Sequence, residues 1–232
     1  MLGVVLTLWR YPVKSMLGER CQRLAVDVRG VEGDRLYAIR DAAGKFGSGK
    51  STRRFRRIDG LFAFAAAYDG DVPVIAFPDG RRLRGDDATI HDALSAALAQ
   101  PVTLAREAAI SHLDAGPVHL LTTASLAWLG GVLPEAQIDE RRFRPNVLVG
   151  APGAQPVERE WLGRTLAVGA DVRLAVREPA ERCVMVSLAQ SELPDDPTIL
   201  RTITQAADLE FGVYADVVTP GRISVGDEVA VL

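Results

Sequence analysis

Short stretches in which hydrophobic and polar residues alternate make up most of the chain, and this pattern is typical of β-strands. Residues 21–28 alternate in this way, and residues 165–177 do so on both sides of a Gly169-Ala170 turn. Comparable strands are predicted at residues 2–8, 35–40 and 72–77 and on either side of Gly226-Asp227. Frequent short strands with glycine turns predict a mainly β (α+β) fold that is built on a barrel or a sandwich.

Helical periodicity is confined to three short segments. In residues 90–99 the hydrophobic side chains share one face, with Thr89 as the expected N-cap and Asp92 as its capping-box partner. A second helix is predicted at residues 124–129, capped by Thr122 or Thr123 and ended by Gly130-Gly131, and a third at residues 198–209, starting at Thr198. The chain is therefore expected to contain only a few helices.

Composition excludes several classes of function. Among the 232 residues, 48% are hydrophobic and 25% are charged, which suits a globular protein with a sizeable core. The net charge of -3 gives no basic excess for nucleic acid or an anionic membrane, and no apolar run is long enough to span a bilayer. Two widely separated cysteines exclude a disulfide framework and a four-cysteine iron–sulfur cluster, and they favour the reducing cytoplasm.

Residues 44–51, GKFGSGKS, match the P-loop pattern, in which backbone N–H groups and a lysine bind the phosphates of a nucleotide. That chemistry needs a buried strand before the loop and a helix directly after it. The preceding strand is charged at both ends, and the following TRRFRRIDG has no extended apolar face. A P-loop phosphotransferase is therefore the less favoured hypothesis, although basic residues of this loop remain candidates for contacting a different phosphate.

Cys183 is the residue with the clearest potential for chemistry. It follows a predicted strand and a proline, and it is adjacent to Arg182. A lone cysteine is usually a buried structural residue. A neighbouring arginine, however, favours the thiolate, which is the nucleophilic form and the form that binds soft metals. Cys21 lies within a predicted strand and is interpreted as a packing residue.

Three cationic segments are candidates for holding an anion. Residues 45–57 contain six basic residues and no acidic one, and residues 141–146, RRFRPN, combine three arginines with an asparagine. Residues 11–16, YPVKSM, place a lysine and a serine after a strand. Each segment alone is typical of a solvated surface, but arginine forks and lysines together are suited to binding phosphate.

These segments, in this order, resemble the MOSC family, which is named for the C-terminal domain of molybdenum cofactor sulfurases. The resemblance rests on YPVKS, GDRLYAIRD and GKFGSGK in the first half, and on TTASL, FRPN, EWLGRTLAVG, RC and FGVYADVVTPGRISVGDEV in the second. It implies a MOSC-type β-barrel at residues 106–232 and an N-terminal β-barrel portion at residues 1–105. A polar, irregular stretch near residues 100–115 is consistent with that boundary.

The resemblance also implies a cofactor and the residues that bind it. The cofactor is the molybdenum cofactor (Mo-molybdopterin), with Cys183 as the metal ligand and catalytic residue. The residues implied to bind the rest of the cofactor are Lys14, Ser15, Arg35, Thr122, Thr123, Ser125, Arg144, Asn146 and Arg182. The family association further extends to pyridoxal phosphate binding.

The activity implied by the resemblance is reduction of small N- or S-oxygenated compounds. Some relatives carry a C-terminal ferredoxin module that this chain lacks, so electrons are expected from a separate ferredoxin- or flavoprotein-like donor. Residues 186–189 read VSLA, whereas reductases such as the mitochondrial amidoxime-reducing component have a Thr-Thr-Val-Asp-like run. This departure concerns substrate chemistry and proton delivery more than cofactor binding. The alternative is a carrier of sulfur or molybdenum cofactor that uses a Cys183 persulfide.

Overall fold

The computed structural model describes all residues 1–232 and contains eighteen β-strands and four α-helices. The strands of the first half are β1 (Gly3–Arg10), β2 (Glu19–Cys21), β3 (Arg23–Asp27), β4 (Gly30–Val31), β5 (Tyr37–Asp41), β6 (Phe46–Ser48), β7 (Phe55–Arg57), β8 (Ala65–Asp69), β9 (Val72–Ala76), β10 (Arg82–Arg84) and β11 (Val102–Arg106), with helix α1 (Ile90–Ala97) before β11. The second half contains β12 (Val118–Thr122), α2 (Thr123–Val132), α3 (Glu140–Phe143), β13 (Val147–Gly150), β14 (Thr165–Val168), β15 (Val172–Glu181), α4 (Pro197–Ala207), β16 (Glu210–Thr219), β17 (Gly221–Ser224) and β18 (Glu228–Val231). The mainly β fold predicted from the alternating pattern is confirmed.

Seven strands close into a barrel in the order β1, β13, β12, β16, β15, β14 and β18. The circle is complete because β1 pairs with both β13 and β18. Alternation sends every second side chain inward, so Leu166 and Val168 of β14 and Val172, Leu174 and Val176 of β15 all enter the core. This core comprises nineteen buried residues, most of them valine or leucine.

A second core lies within the first half of the chain. The sheet β11-β5-β6-β7, the sheet β10-β9-β8 and helix α1 surround fourteen buried hydrophobic residues. Isolated bridges from Val13 to Tyr37 and from Leu17 to Ala65 join the segment after β1 to both sheets. This segment therefore runs from the barrel wall directly into the second core, and it carries Lys14 and Ser15 with it.

Strand pairing crosses the predicted boundary between residues 105 and 106. Strand β1 belongs to the first half but completes the barrel, and β17 of the second half pairs with β3. The two parts therefore share strands, and the boundary itself stays a prediction. No helix has the length and hydropathy needed to cross a membrane.

Three of the four helices were predicted in the correct places, although their ends differ, and the four-residue helix α3 was not predicted. Thr89 makes no capping hydrogen bond, because its hydroxyl donates to Asp87 at 2.7 Å, so the predicted capping box is wrong. Helix α2 continues through Gly130-Gly131 to Val132, so the end predicted at the two glycines is wrong. Helix α4 is capped by Asp196 and begins at Pro197, a residue suited to the first helical position.

We predict that Leu174→Ala, which empties part of the barrel interior, lowers the free energy of unfolding by about 2–5 kcal/mol. Leu174 is fully buried in β15. Val218→Ala in the neighbouring strand β16 is the matched control, because Val218 is 58% exposed. Urea denaturation of both variants gives the two values, and equal losses would contradict a packed barrel interior.

Candidate functional site

A cavity of about 290 Å³ is lined by residues from both parts of the chain. Seven of its nineteen lining residues are basic and two, Asp114 and Glu181, are acidic. The basic residues are Lys14, Arg35, Lys50, Arg54, Arg142, Arg144 and Arg182. This excess of positive charge makes the cavity a site for an anionic ligand.

The structure brings six of the ten predicted site residues to this cavity. These are Lys14, Ser15, Arg35, Arg144, Arg182 and Cys183. Ser15, Arg35 and Arg144 have left-handed backbones, with φ of 66°, 50° and 55°. A non-glycine residue adopts this conformation at a cost of order 1–3 kcal/mol and keeps it only where its surroundings hold it. Such strain is concentrated at functional sites.

Lys14 and Arg35 form one side of the cavity, and both are buried. Lys14 Nζ donates to the His112 carbonyl at 2.9 Å and forms an ion pair with Asp114. Arg35 forms ion pairs with Asp34 and, through Nε at 3.1 Å, with Asp114. Burial lowers the pKa of Lys14, although the nearby Asp114 acts in the opposite direction.

Arg144 and Arg182 are buried without any carboxylate partner. Arg144 Nη1 donates to the Met16 carbonyl at 2.5 Å, and Arg182 Nη2 donates to the Phe143 carbonyl at 2.6 Å. Arg144 Nη2 and Arg182 Nε have no hydrogen-bond partner. Burial lowers the pKa of Arg144 to about 10, so the group remains charged at neutral pH. Buried donors of this kind are normally satisfied, and a bound anion would satisfy them.

His119 connects the two arginines. Its Nδ1 lies 3.3 Å from the Arg144 carbonyl and its Nε2 lies 3.4 Å from Arg182 Nη1. A proton on Nδ1 satisfies both contacts, because Nδ1–H donates to the carbonyl and Nε2 accepts from the guanidinium. Burial, with a smaller effect from Arg182, holds the pKa of His119 well below its usual value. The imidazole is therefore neutral, and it contacts the guanidinium of Arg182 and the backbone of Arg144.

Cys183 lies at the end of β15, where the chain turns into a short 3-10 helix. The thiol residue is half-buried and lines the cavity together with Arg182 and Tyr214. Burial raises the pKa of Tyr214 to about 12, so its hydroxyl stays protonated. Cys21 does not line the cavity and packs against the barrel core, as its predicted packing role requires.

Arg142 anchors the loop that follows Cys183. Its guanidinium is completely buried and donates to the carbonyls of Gln137 at 2.9 Å and Pro194 at 2.8 Å. Longer contacts reach the carbonyls of Val186 at 3.5 Å and Leu188 at 3.4 Å. One guanidinium thus ties together three points of the loop, and it fixes the wall of the cavity beside the thiol.

Four predicted cofactor-binding residues lie outside the cavity, which corrects their placement. Thr122 and Ser125 donate to the buried Glu158 carboxylate at 2.6 and 2.5 Å. Thr123 donates to the Ala151 carbonyl at 3.0 Å. Asn146 Nδ2 donates to the Trp9 carbonyl at 3.3 Å, and its Oδ1 accepts from the His119 backbone at 3.0 Å. Their polar groups are used within the protein, so they support the barrel near the site.

The glycine-rich P-loop match adopts a different structure. Residues 44–51 form a turn followed by β6, and the chain then enters β7 without any helix between them. Lys50 of this segment and Arg54 after it nevertheless line the cavity, together with Phe55. Lys50 Nζ lies 5.7 Å and the Arg54 guanidinium carbon 5.4 Å from the centre of the Phe55 ring.

Several residues at the site were not predicted. Asp114 comes from the stretch interpreted as an irregular boundary, His119 was given no role, and Arg142 was part of the RRFRPN segment without a role of its own. For Arg142 the only signal in the sequence was the excess of arginines in RRFRPN. Its partners are backbone carbonyls, which any residue provides, so they cannot be recognised from a sequence.

A profile of the MOSC domain matches residues 107–230, and a profile of the MOSC N-terminal beta barrel domain matches residues 2–109. Among solved structures, the YUAD protein from Bacillus subtilis is similar with a TM-score of 0.56 and 15% identity, covering 99% of this chain and 94% of that chain. A hypothetical protein is similar with a TM-score of 0.51 and 10% identity, covering 100% of this chain and 67% of that chain. These two likenesses show the fold alone. No curated protein matches the chain.

We predict that Glu158 makes the stability of the protein depend on pH. Burial raises the pKa of Glu158 above its usual 4.5, although hydrogen bonds from Ser125 and Thr122 partly oppose this. The folded state therefore binds the proton more tightly, and the stabilisation is lost as the pH rises through the raised value.

Glu158→Gln removes this titration and keeps the shape of the side chain. We expect the wild type to lose free energy of unfolding relative to this variant as the pH rises from about 4 through the raised pKa of Glu158. Urea denaturation at several pH values measures the difference. Glu160→Gln is the control, because Glu160 is exposed and lies with Glu158 in one 3-10 helix, Val157–Trp161. Parallel pH profiles for the wild type and Glu158→Gln would contradict the raised pKa.

Proposed function

The chain belongs to the MOSC domain family, and from this premise we propose that it binds the molybdenum cofactor in the cationic cavity, with Cys183 as the protein's ligand to the metal. The observation that carries the proposal is that Arg144 and Arg182 line the same cavity as Cys183, and that each has a buried guanidinium nitrogen without a hydrogen-bond partner. An anionic pterin phosphate would satisfy the nitrogens, and a soft metal would suit the thiolate.

The roles of the other cavity residues follow from their chemistry. Lys14, Arg35 and Arg144 would hold the phosphate, and His119 would orient the Arg182 guanidinium and hold the backbone at Arg144. Ser15 donates to the Gly47 carbonyl at 3.0 Å and would fix the neighbouring Lys14. Thr122, Thr123, Ser125 and Asn146 would act indirectly, by holding the strands and helix ends behind the cavity.

The proposed reaction is the reduction of a small N- or S-oxygenated compound. The cofactor, when bound, supplies the electron transfer that removes the oxygen atom. The protonated Tyr214 hydroxyl is the group that can donate a hydrogen bond or a proton in the cavity. Phe143 and Val186 contribute apolar surface to the wall and would limit access of water.

Electrons would come from a separate ferredoxin- or flavoprotein-like protein. The two cysteines are too few to hold an iron–sulfur cluster, and no group of histidine, cysteine and acidic residues forms another metal site. The reducing cytoplasm is the compartment that would keep Cys183 available as a thiol. Pyridoxal phosphate binding stays a prediction.

The first test is the metal and pterin content of protein produced in a host that makes molybdopterin. We expect about one molybdenum and one pterin per chain. Cyanide-releasable sulfur with little metal would instead indicate the alternative, in which Cys183 carries a persulfide. Magnesium-dependent ATP binding that is lost in Lys50→Ala would indicate the phosphotransferase.

We predict that Cys183→Ser abolishes reductase turnover while the protein keeps its fold and its bound pterin. The hydroxyl is a much poorer ligand for a soft metal than the thiolate, whereas the phosphate contacts are unchanged. Cys21→Ser is the matched control and is expected to keep both cofactor and turnover. Turnover by Cys183→Ser at the wild-type rate would refute the assignment of Cys183 as ligand.

A further inference from the structure

Asp114 contacts both of the cations that are assigned to the cofactor phosphate. One carboxylate oxygen pairs with Lys14 Nζ, and the other accepts from Arg35 Nε at 3.1 Å. The two carboxylate oxygens of Asp114 thus occupy the positions in which two phosphate oxygens would accept from Lys14 Nζ and Arg35 Nε. Lys14 and Arg35 together hold the pKa of Asp114 well below its usual range, although burial alone would raise it.

The two cations are held in place by contacts other than Asp114. Lys14 Nζ also donates to the His112 carbonyl. Arg35 pairs with the fully buried Asp34, and its guanidinium lies 4.9 Å from the centre of the Tyr11 ring. Asp34 is itself fixed, because it accepts from the Tyr11 backbone N–H at 2.8 Å. Removal of Asp114 would therefore leave both cations facing the cavity.

Asp114 lies between strands and is the most exposed partner in its two ion pairs. It belongs to the irregular connector between β11 and β12, residues 107–117, which contains no helix or strand. Its side chain is 42% exposed, while those of Lys14 and Arg35 are 4% and 6% exposed. Of the three side chains, only that of Asp114 can turn away from the ion pairs without exposing buried residues.

We infer that Asp114 acts as a charge filter: its carboxylate competes with anionic ligands for Lys14 and Arg35. Only a ligand with more than one negative charge would displace it. The inference deepens the proposed function and rests on its phosphate site. A monoanion such as acetate would exchange one carboxylate for another and gain little from the exchange. A phosphate dianion brings an additional charge and additional acceptor oxygens, for which Arg144 and Arg182 provide further positive charge in the same cavity lining.

Asp114 would also make the cavity select between anions of different charge, which the other charged residues of the lining would not do. Asp114 is the only acidic residue that forms an ion pair with a basic residue of the cavity and is also part of the cavity lining. Glu181, the other acidic lining residue, forms no ion pair. A cavity with seven basic residues would otherwise bind cellular anions with little discrimination.

The test uses protein free of cofactor, with inorganic phosphate and acetate as probes at equal ionic strength. Ligands that bind the folded state raise the midpoint of thermal unfolding. In the wild type we expect phosphate to raise the midpoint and acetate to leave it unchanged. Equal shifts from the two anions in the wild type would overturn the inference.

Asp114→Asn keeps the shape of the side chain and removes its charge. We expect phosphate to bind more tightly by on the order of tenfold, because two partly buried ion pairs no longer have to be broken. We also expect acetate to raise the unfolding midpoint of this variant. Isothermal titration calorimetry measures the affinities.

Asp79→Asn is the matched control, because Asp79 is a comparably exposed, ion-paired aspartate on the distant β9–β10 turn. It removes the same charge and should leave both affinities unchanged. Weaker or unchanged phosphate binding in Asp114→Asn would show that Asp114 supports the cations and does not compete for them. Since neither probe contains molybdenum or pterin, that result leaves the metal analysis of loaded protein as a separate test of the cofactor proposal.

Discussion

Two guanidinium groups buried without carboxylate partners, those of Arg144 and Arg182, are the constraint on which the site depends. Burying an unpaired charge is expensive. Backbone carbonyls of Met16 and Phe143, the neutral ring of His119 and the face of Tyr11 offset part of this cost. Each group still keeps one nitrogen without a partner. The protein thus maintains buried positive charge that the proposed anion in the cavity would compensate.

The barrel and the second core hold this charge in place from two sides. The segment after β1 carries Lys14 and Ser15 out of the barrel wall into the second core, while the end of β15 presents Cys183 from the barrel itself. Arg142 fixes the loop beyond the cysteine through three of its carbonyls, those of Val186, Leu188 and Pro194. The cavity therefore needs both parts of the chain, which is consistent with strands that cross between them.

The sequence allowed many of the strands and three of the four helices to be predicted, because alternation and periodicity are local; the four-residue helix α3 is too short to show a period. It did not reveal that Thr122 and Ser125 bind Glu158, since the partner lies more than thirty residues away and on a different element. Six predicted site residues do meet at the cavity, and the family resemblance supplied them. The bridge formed by Asp114 depends on a connector without periodicity, so no sequence pattern indicated it.

The most direct test of the central claim is molybdenum K-edge X-ray absorption of protein loaded with cofactor. If the Cys183 thiolate binds the metal beside the cationic wall, the wild type should show one more molybdenum–sulfur contact than Cys183→Ser loaded in the same way. Cys21→Ser should give the wild-type spectrum. Identical sulfur shells in the wild type and in Cys183→Ser would contradict a bond between Cys183 and molybdenum.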